Sequence, residues 1–130
     1  MKVIEINSKV KNEWEGIGMK KVQLSEVSPY LAQKHFDMKS MKLHGTEETG
    51  ATKFWMGMSY FLPGGGAEYA YEDSPTEKIY YVLDGEITIK SKTETFVLKK
   101  NDSIFIGPNE GREMINETNE IATVLVVINY

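Results

Sequence analysis

Cysteine is absent from this chain, which excludes disulfide staples, thiolate metal centres and cysteine nucleophiles together. Histidine is scarce. His35 and His44 are the only two, and their spacing makes no helical His-x-x-x-His pair. Apolar runs reach about five residues, far short of the roughly 20 that cross a bilayer. The stretch MKVIEINSKVKNEW has neither a long apolar core nor a small-residue cleavage site, so it does not read as a secretion signal and the cytoplasm is the expected location. A stripe of Lys and Arg is missing too. With a formal net charge of -4, the surface is mildly acidic, and neither nucleic acid nor an anionic membrane is expected as a main partner.

What the 130 residues do contain is a succession of strand and turn signals, enough for one domain with a real core. TKFWMGMSYFL at 52–62 alternates Phe54, Met56, Met58, Tyr60 and Leu62 with Trp55, Gly57, Ser59 and Phe61, the period of a strand. PGGG at 63–66 is expected to end it, because proline and glycine supply turn dihedrals. AEYAYED, KIYYVL, EITIKSK, TFVLKK, SIFI, REMIN and IATVLVVINY follow, separated by turns. Asp84-Gly85 between two apolar runs reads as a hairpin turn. Short, closely spaced strands of this kind predict an all-β sandwich or barrel. Before residue 51, KVIEI, MKKVQL and MKLHG read as strands, and SEVSPYLAQKHF as a short helix beginning after Pro29. The expected organisation is one domain over 1–130, with an N-terminal arm at 1–51 and the barrel at 52–127.

The order PGGG…EKIYYVLDGEITI followed by KKNDSIFIGPNEGREMIN resembles the cupin family of small jelly-roll β-barrels, over roughly residues 52–127. The resemblance implies an all-β jelly-roll barrel with at most a short N-terminal helix. YYVLDGEI matches the end of the family's first motif, with Gly85 in the closing position. Asn101-Asp102, the loop GPNEG and Asn116 match the turn, loop and closing asparagine of the second. The family's metal ligands are replaced. Lys78 stands at the glutamate position and Arg112 at the second-motif histidine. The remaining histidine positions fall on Tyr71 and Asp73, or on Glu72 and Ser74 if the loop is one residue shorter. Lysine and arginine offer donors and no lone pair, so no metal or other cofactor is expected. The alternative is a hard divalent cation on a face carrying Glu68 and Glu72, or a metal held by unusual carboxylate and histidine ligands.

The same alignment would point Lys78, Arg112 and either Tyr71 or Asp73 into the mouth of the barrel. Buried cations need neutralising. Either Asp73 forms an internal ion pair with them, or the pocket takes an anion. The favoured expectation is a small carboxylate metabolite. Arg112 would clamp it, with Tyr60, Tyr80, Trp55, Met114 and Glu72 completing the ligand-binding set. Lys78 would act as base or nucleophile and Asp73 or Tyr71 as proton partner. Metal-independent isomerase, lyase or decarboxylase chemistry fits such a site. A non-catalytic metabolite-binding or sensor domain is the alternative. The resemblance further implies a homodimer joined through N-terminal strands.

Overall fold

The computed structural model describes residues 18–130, so the strand expected at KVIEI lies outside the described residues. The strands are β1 (His35–His44), β2 (Phe54–Ala70), β3 (Lys78–Asp84), β4 (Glu86–Lys90), β5 (Thr95–Lys99), β6 (Ser103–Ile106), β7 (Arg112–Ile115) and β8 (Ala122–Asn129). They form one 8-stranded sheet in the order β5-β4-β7-β2-β8-β3-β6, with β1 also on β2. The sheet curls into a nearly closed barrel, the all-β jelly roll that the strand pattern predicts. Phe61, Tyr80, Val82, Ile87, Ile89 and Val124 fill its centre. Among the described residues no helix is long and apolar enough to cross a membrane.

β2 explains the closure. Its first half, Phe54 to Phe61, pairs antiparallel with Asn129 to Ala122 of β8. Its second half, from Gly66 to Ala70, pairs with Ile115 to Arg112 of β7. One strand therefore serves both walls, and PGGG is the corner between them rather than a strand end. Gly64 takes φ +81° there, and a Cβ on Gly66 would stand 2.0 Å from the Met114 carbonyl oxygen, so the corner needs glycine. Asn116 holds the corner from inside. It is 0% exposed, its backbone N–H donates to Gly65 O at 2.8 Å, and its Nδ2 donates to Phe61 O at 3.0 Å and Glu120 O at 2.7 Å.

Three further expectations are corrected. Asp84-Gly85 is a turn but not a hairpin: β3 pairs with β6 and β8, while β4 pairs with β5 and β7. Gly85, at φ +78°, carries the chain from one wall to the other, with Ile121 O only 2.4 Å from where its Cβ would be. MKKVQL forms no strand; Leu24–Glu26 is instead a single 3-10 turn. No helix follows Pro29 either, because the Tyr30 N–H is committed to Ser40 O at 2.9 Å, bridging the arm to β1. The α-helix found is α1, Thr46–Thr49, between β1 and β2.

Candidate functional site

A cavity of about 390 Å³ opens between the two walls, bounded on one side by arm residues Tyr30 to Gln33. Its other sides follow from strand alternation. In β2, Trp55, Ser59 and Phe61 face it. In β3, Lys78 and Tyr80 are 5% and 2% exposed and point inward, whereas Ile79 between them is 48% exposed. In β7, Arg112 and Met114 do the same, at 4% and 3% exposure.

Tyr71 completes the arrangement. It follows the last residue of β2 at φ +75°, a left-handed conformation that costs a non-glycine residue about 1–3 kcal/mol and persists only when its surroundings enforce it. The Lys78 Nζ lies 5.5 Å from the Tyr71 ring centroid and the Arg112 Cζ 5.1 Å from it, within cation–π range. The Tyr71 hydroxyl donates to Gln33 O at 3.4 Å. Arg112 is anchored further, its Nε donating to the Tyr80 hydroxyl at 3.2 Å and its Nη1 to Glu68 O at 3.3 Å.

Among the described residues the cavity lining contains no aspartate or glutamate. Among the described residues neither Lys78 nor Arg112 forms an ion pair. Burial, and then the neighbouring Arg112, hold the Lys78 amine below its ordinary pKa.

Of the residues singled out in the sequence, Lys78, Arg112, Tyr71, Tyr80, Trp55 and Met114 are brought together at this cavity. Tyr60, Asp73 and Glu72 are not. Tyr60 lies on the opposite face of β2 from Trp55, paired with Lys39 and Thr123. Asp73 is exposed beyond the turn that Tyr71 begins, so the internal ion pair is not formed. Glu72 points outward, its carboxylate accepting from the Tyr69 hydroxyl at 2.6 Å and pairing with Lys92 at 2.7 Å. The left-handed residue at 71 is the cause: it turns its own side chain inward and sends the next two out. The sequence reading weighed His35 only as a possible metal ligand and missed Gln33, Ser40 and Ser59; all four line the cavity. Ser59 was legible, sharing a strand face with Trp55.

A divalent metal fits these residues poorly. Such an ion needs several lone-pair donors converging on one point, and among the described residues no group of three His, Asp or Glu does so. His35 is the cavity's single imidazole, and Glu68 offers its carbonyl to Arg112 while its side chain is exposed.

Residues 57–128 match the protein family described as Cupin domain. Beta-D-galactosidase Rv1717 of Mycobacterium tuberculosis is 36% identical over 112 residues, covering 85% of this chain and 93% of that protein. The polyketide cyclase RemF from Streptomyces resistomycificus superposes with a TM-score of 0.76 at 22% identity, over 85% of this chain and 79% of its own. A sugar phosphate isomerase from Silicibacter pomeroyi superposes with a TM-score of 0.71 at 16% identity, over 85% and 76%. At these identities the two structures bear on the fold alone.

Proposed function

The chain belongs to the cupin family, and from that premise we propose that its barrel binds a small organic acid between Lys78 and Arg112 without a metal. One observation carries the reading: two buried cations stand over one tyrosine ring with no carboxylate among the described residues lining their cavity. Unpaired buried charge is costly, and a carboxylate entering the cavity removes that cost. Arg112 presents the planar fork that grips a carboxylate. Lys78, with its lowered affinity for protons, is suited to exchange a proton with bound substrate. The volume of about 390 Å³ suits a metabolite of monosaccharide size. Ser40, Ser59, Ser74 and Thr76 line it alongside Trp55 and Tyr80, hydroxyl donors and aromatic faces of the kind a polyhydroxylated molecule uses.

The mycobacterial relative is named for galactoside chemistry, and the cation pair adds a demand for negative charge. D-galacturonate, a galactose-like acid, satisfies both and is the probe of choice. Titration calorimetry should show it binding at least about ten-fold more tightly than neutral galactose, the margin a desolvated charge contact supports. Equal binding of the two would remove the anion from the proposal.

A second reading is hydrolysis of a β-D-galactoside, favoured by the 36% identity to the mycobacterial protein. Most such reactions use two carboxylates flanking the bond, and the described lining has none. Release of nitrophenol from an aryl β-D-galactoside by purified protein would support it over the first.

A further inference from the structure

His35, which the roles assigned to Lys78 and Arg112 leave unused, lines the same cavity from the first position of β1. Its Nδ1 is 2.7 Å from the Gln33 carbonyl oxygen. A carbonyl oxygen can only accept, so Nδ1 carries the hydrogen and the neutral ring keeps its lone pair on Nε2. Among the described residues Nε2 has no hydrogen-bond partner. The same carbonyl accepts from the Tyr71 hydroxyl at 3.4 Å. One backbone oxygen thus ties the imidazole to the ring on which both cations sit.

Among the described residues, the ionisable groups sharing this cavity are Arg112 from β7, Lys78 and Tyr80 from β3, Tyr71 from the loop after β2, and Tyr30 from the arm. None is a carboxylate. Burial, and then the charge of Arg112, hold the His35 ring below its ordinary pKa, against the Gln33 hydrogen bond that raises it. The imidazole is therefore neutral at pH 7, and an anion bound to Arg112 weakens the charge that disfavours its protonation.

We propose that His35 is the catalytic base of this site, removing a carbon-bound proton next to the carbonyl group of a sugar acid whose carboxylate Arg112 holds. The proposal rests on the reading of the cavity as an anion site. In the open-chain form of the sugar acid, the proton passes from carbon to Nε2. The C–H electron pair moves into the adjacent carbonyl, giving an enediolate whose oxygen takes a proton from the Lys78 ammonium. The His35 imidazolium then returns its proton to carbon, while the Lys78 amine, now neutral, takes the proton from the hydroxyl that becomes the new carbonyl. Return to the same carbon regenerates the substrate. Return to its neighbour, with the second hydroxyl deprotonated, gives the aldose–ketose isomer. No electrons leave the substrate, so no oxidant or reductant is required.

The test follows D-galacturonate in D2O by proton NMR, measuring loss of the signal from the carbon next to the aldehyde, with affinity measured separately by calorimetry. Wild type should exchange this proton. His35→Asn should exchange it about 100-fold or more slowly, with affinity kept within about three-fold. Exchange at the wild-type rate in His35→Asn overturns the proposal. Wild type that binds without exchanging overturns it too, while leaving the anion site standing. Wild type that fails to bind takes down the anion site and the base together. Nitrogen NMR of the unliganded wild type provides a check independent of any variant's folding. The Nδ1–H tautomer supports the proposal, and an Nε2–H tautomer overturns it.

Discussion

Tyr69 and Tyr71 are two residues apart and stand on opposite sides of the barrel wall, each beneath a cation. Outside, Tyr69 donates to Glu72 at 2.6 Å, Glu72 pairs with Lys92 at 2.7 Å, and the Lys92 Nζ lies 5.6 Å from the Tyr69 ring. Lys92, and then the hydrogen bond from Tyr69, hold the Glu72 carboxyl below its usual range, and Tyr69 is pushed up to about 12, first by that hydrogen bond to Glu72. Inside, Tyr71 faces Lys78 and Arg112, and among the described residues no acid lines the space. The residue types are nearly the same, but the outer cluster is complete in itself and the inner one is short of a negative charge. Charge that is buried and unpaired is what marks a site for a ligand; charge that is exposed and paired is ordinary surface.

The comparison breaks most readily at Arg112. Arg112→Leu should lower D-galacturonate affinity by about 100-fold, roughly 3 kcal/mol, as expected when a buried charge pair loses one partner. Arg112→Lys should recover only part of it, since a point charge does not reproduce the fork. Calorimetry on both variants decides the matter, and a loss under a few-fold in Arg112→Leu would separate this arginine from the ligand.

Lys78→Met comes next and should act in two directions. Affinity should fall by about ten-fold, because one of two cations is gone. The unliganded protein should melt a few degrees higher near pH 7, since an unpaired buried charge is replaced by an apolar chain of similar length. The pH dependence follows from linkage. The folded-state pKa of Lys78 lies below its ordinary 10.5, so between the two values the unfolded chain binds more protons. This lysine's contribution to stability therefore rises as pH climbs toward 10.5. Thermal melts from pH 7 to 10 should show the gap between variant and wild type narrowing. A gap that widens would mean Lys78 has a partner inside.

These predictions depend on features of unequal visibility in the sequence. The strands were legible because period two is a local property, and the same alternation already put Trp55 and Tyr60 on opposite faces. Placing both in one pocket ignored it. Turn signals were less informative. PGGG and Asp84-Gly85 announce a change of direction, but whether the next strand pairs with the last depends on contacts far along the chain. The choice between Tyr71 and Asp73 turned on one positive φ at a non-glycine residue, for which the sequence carries no mark. The place of His35 beside Lys78 and Arg112 was out of reach for a related reason: it arrives through its pairing with Ala67, 32 positions away. Lys78 and Arg112 were legible because they stand where the family's motifs carry ligands.

The smallest effects belong to the outer cluster. Glu72→Gln and Lys92→Ala each remove half of an exposed ion pair, whose attraction is offset by water and by the entropy of two long side chains. Melting temperature should move by no more than about 1 °C, and that shift should fade in high salt, which screens exposed charge and leaves buried charge largely untouched. Galacturonate affinity should stay within about two-fold, because Glu72 is separated from the cavity by the loop that Tyr71 anchors. The outcome that matters is a larger change in affinity. If Glu72→Gln tightens binding several-fold, the acid has been offsetting Arg112 through the wall. The two clusters would then be one electrostatic unit, and the inner shortage of negative charge would be smaller than its geometry implies.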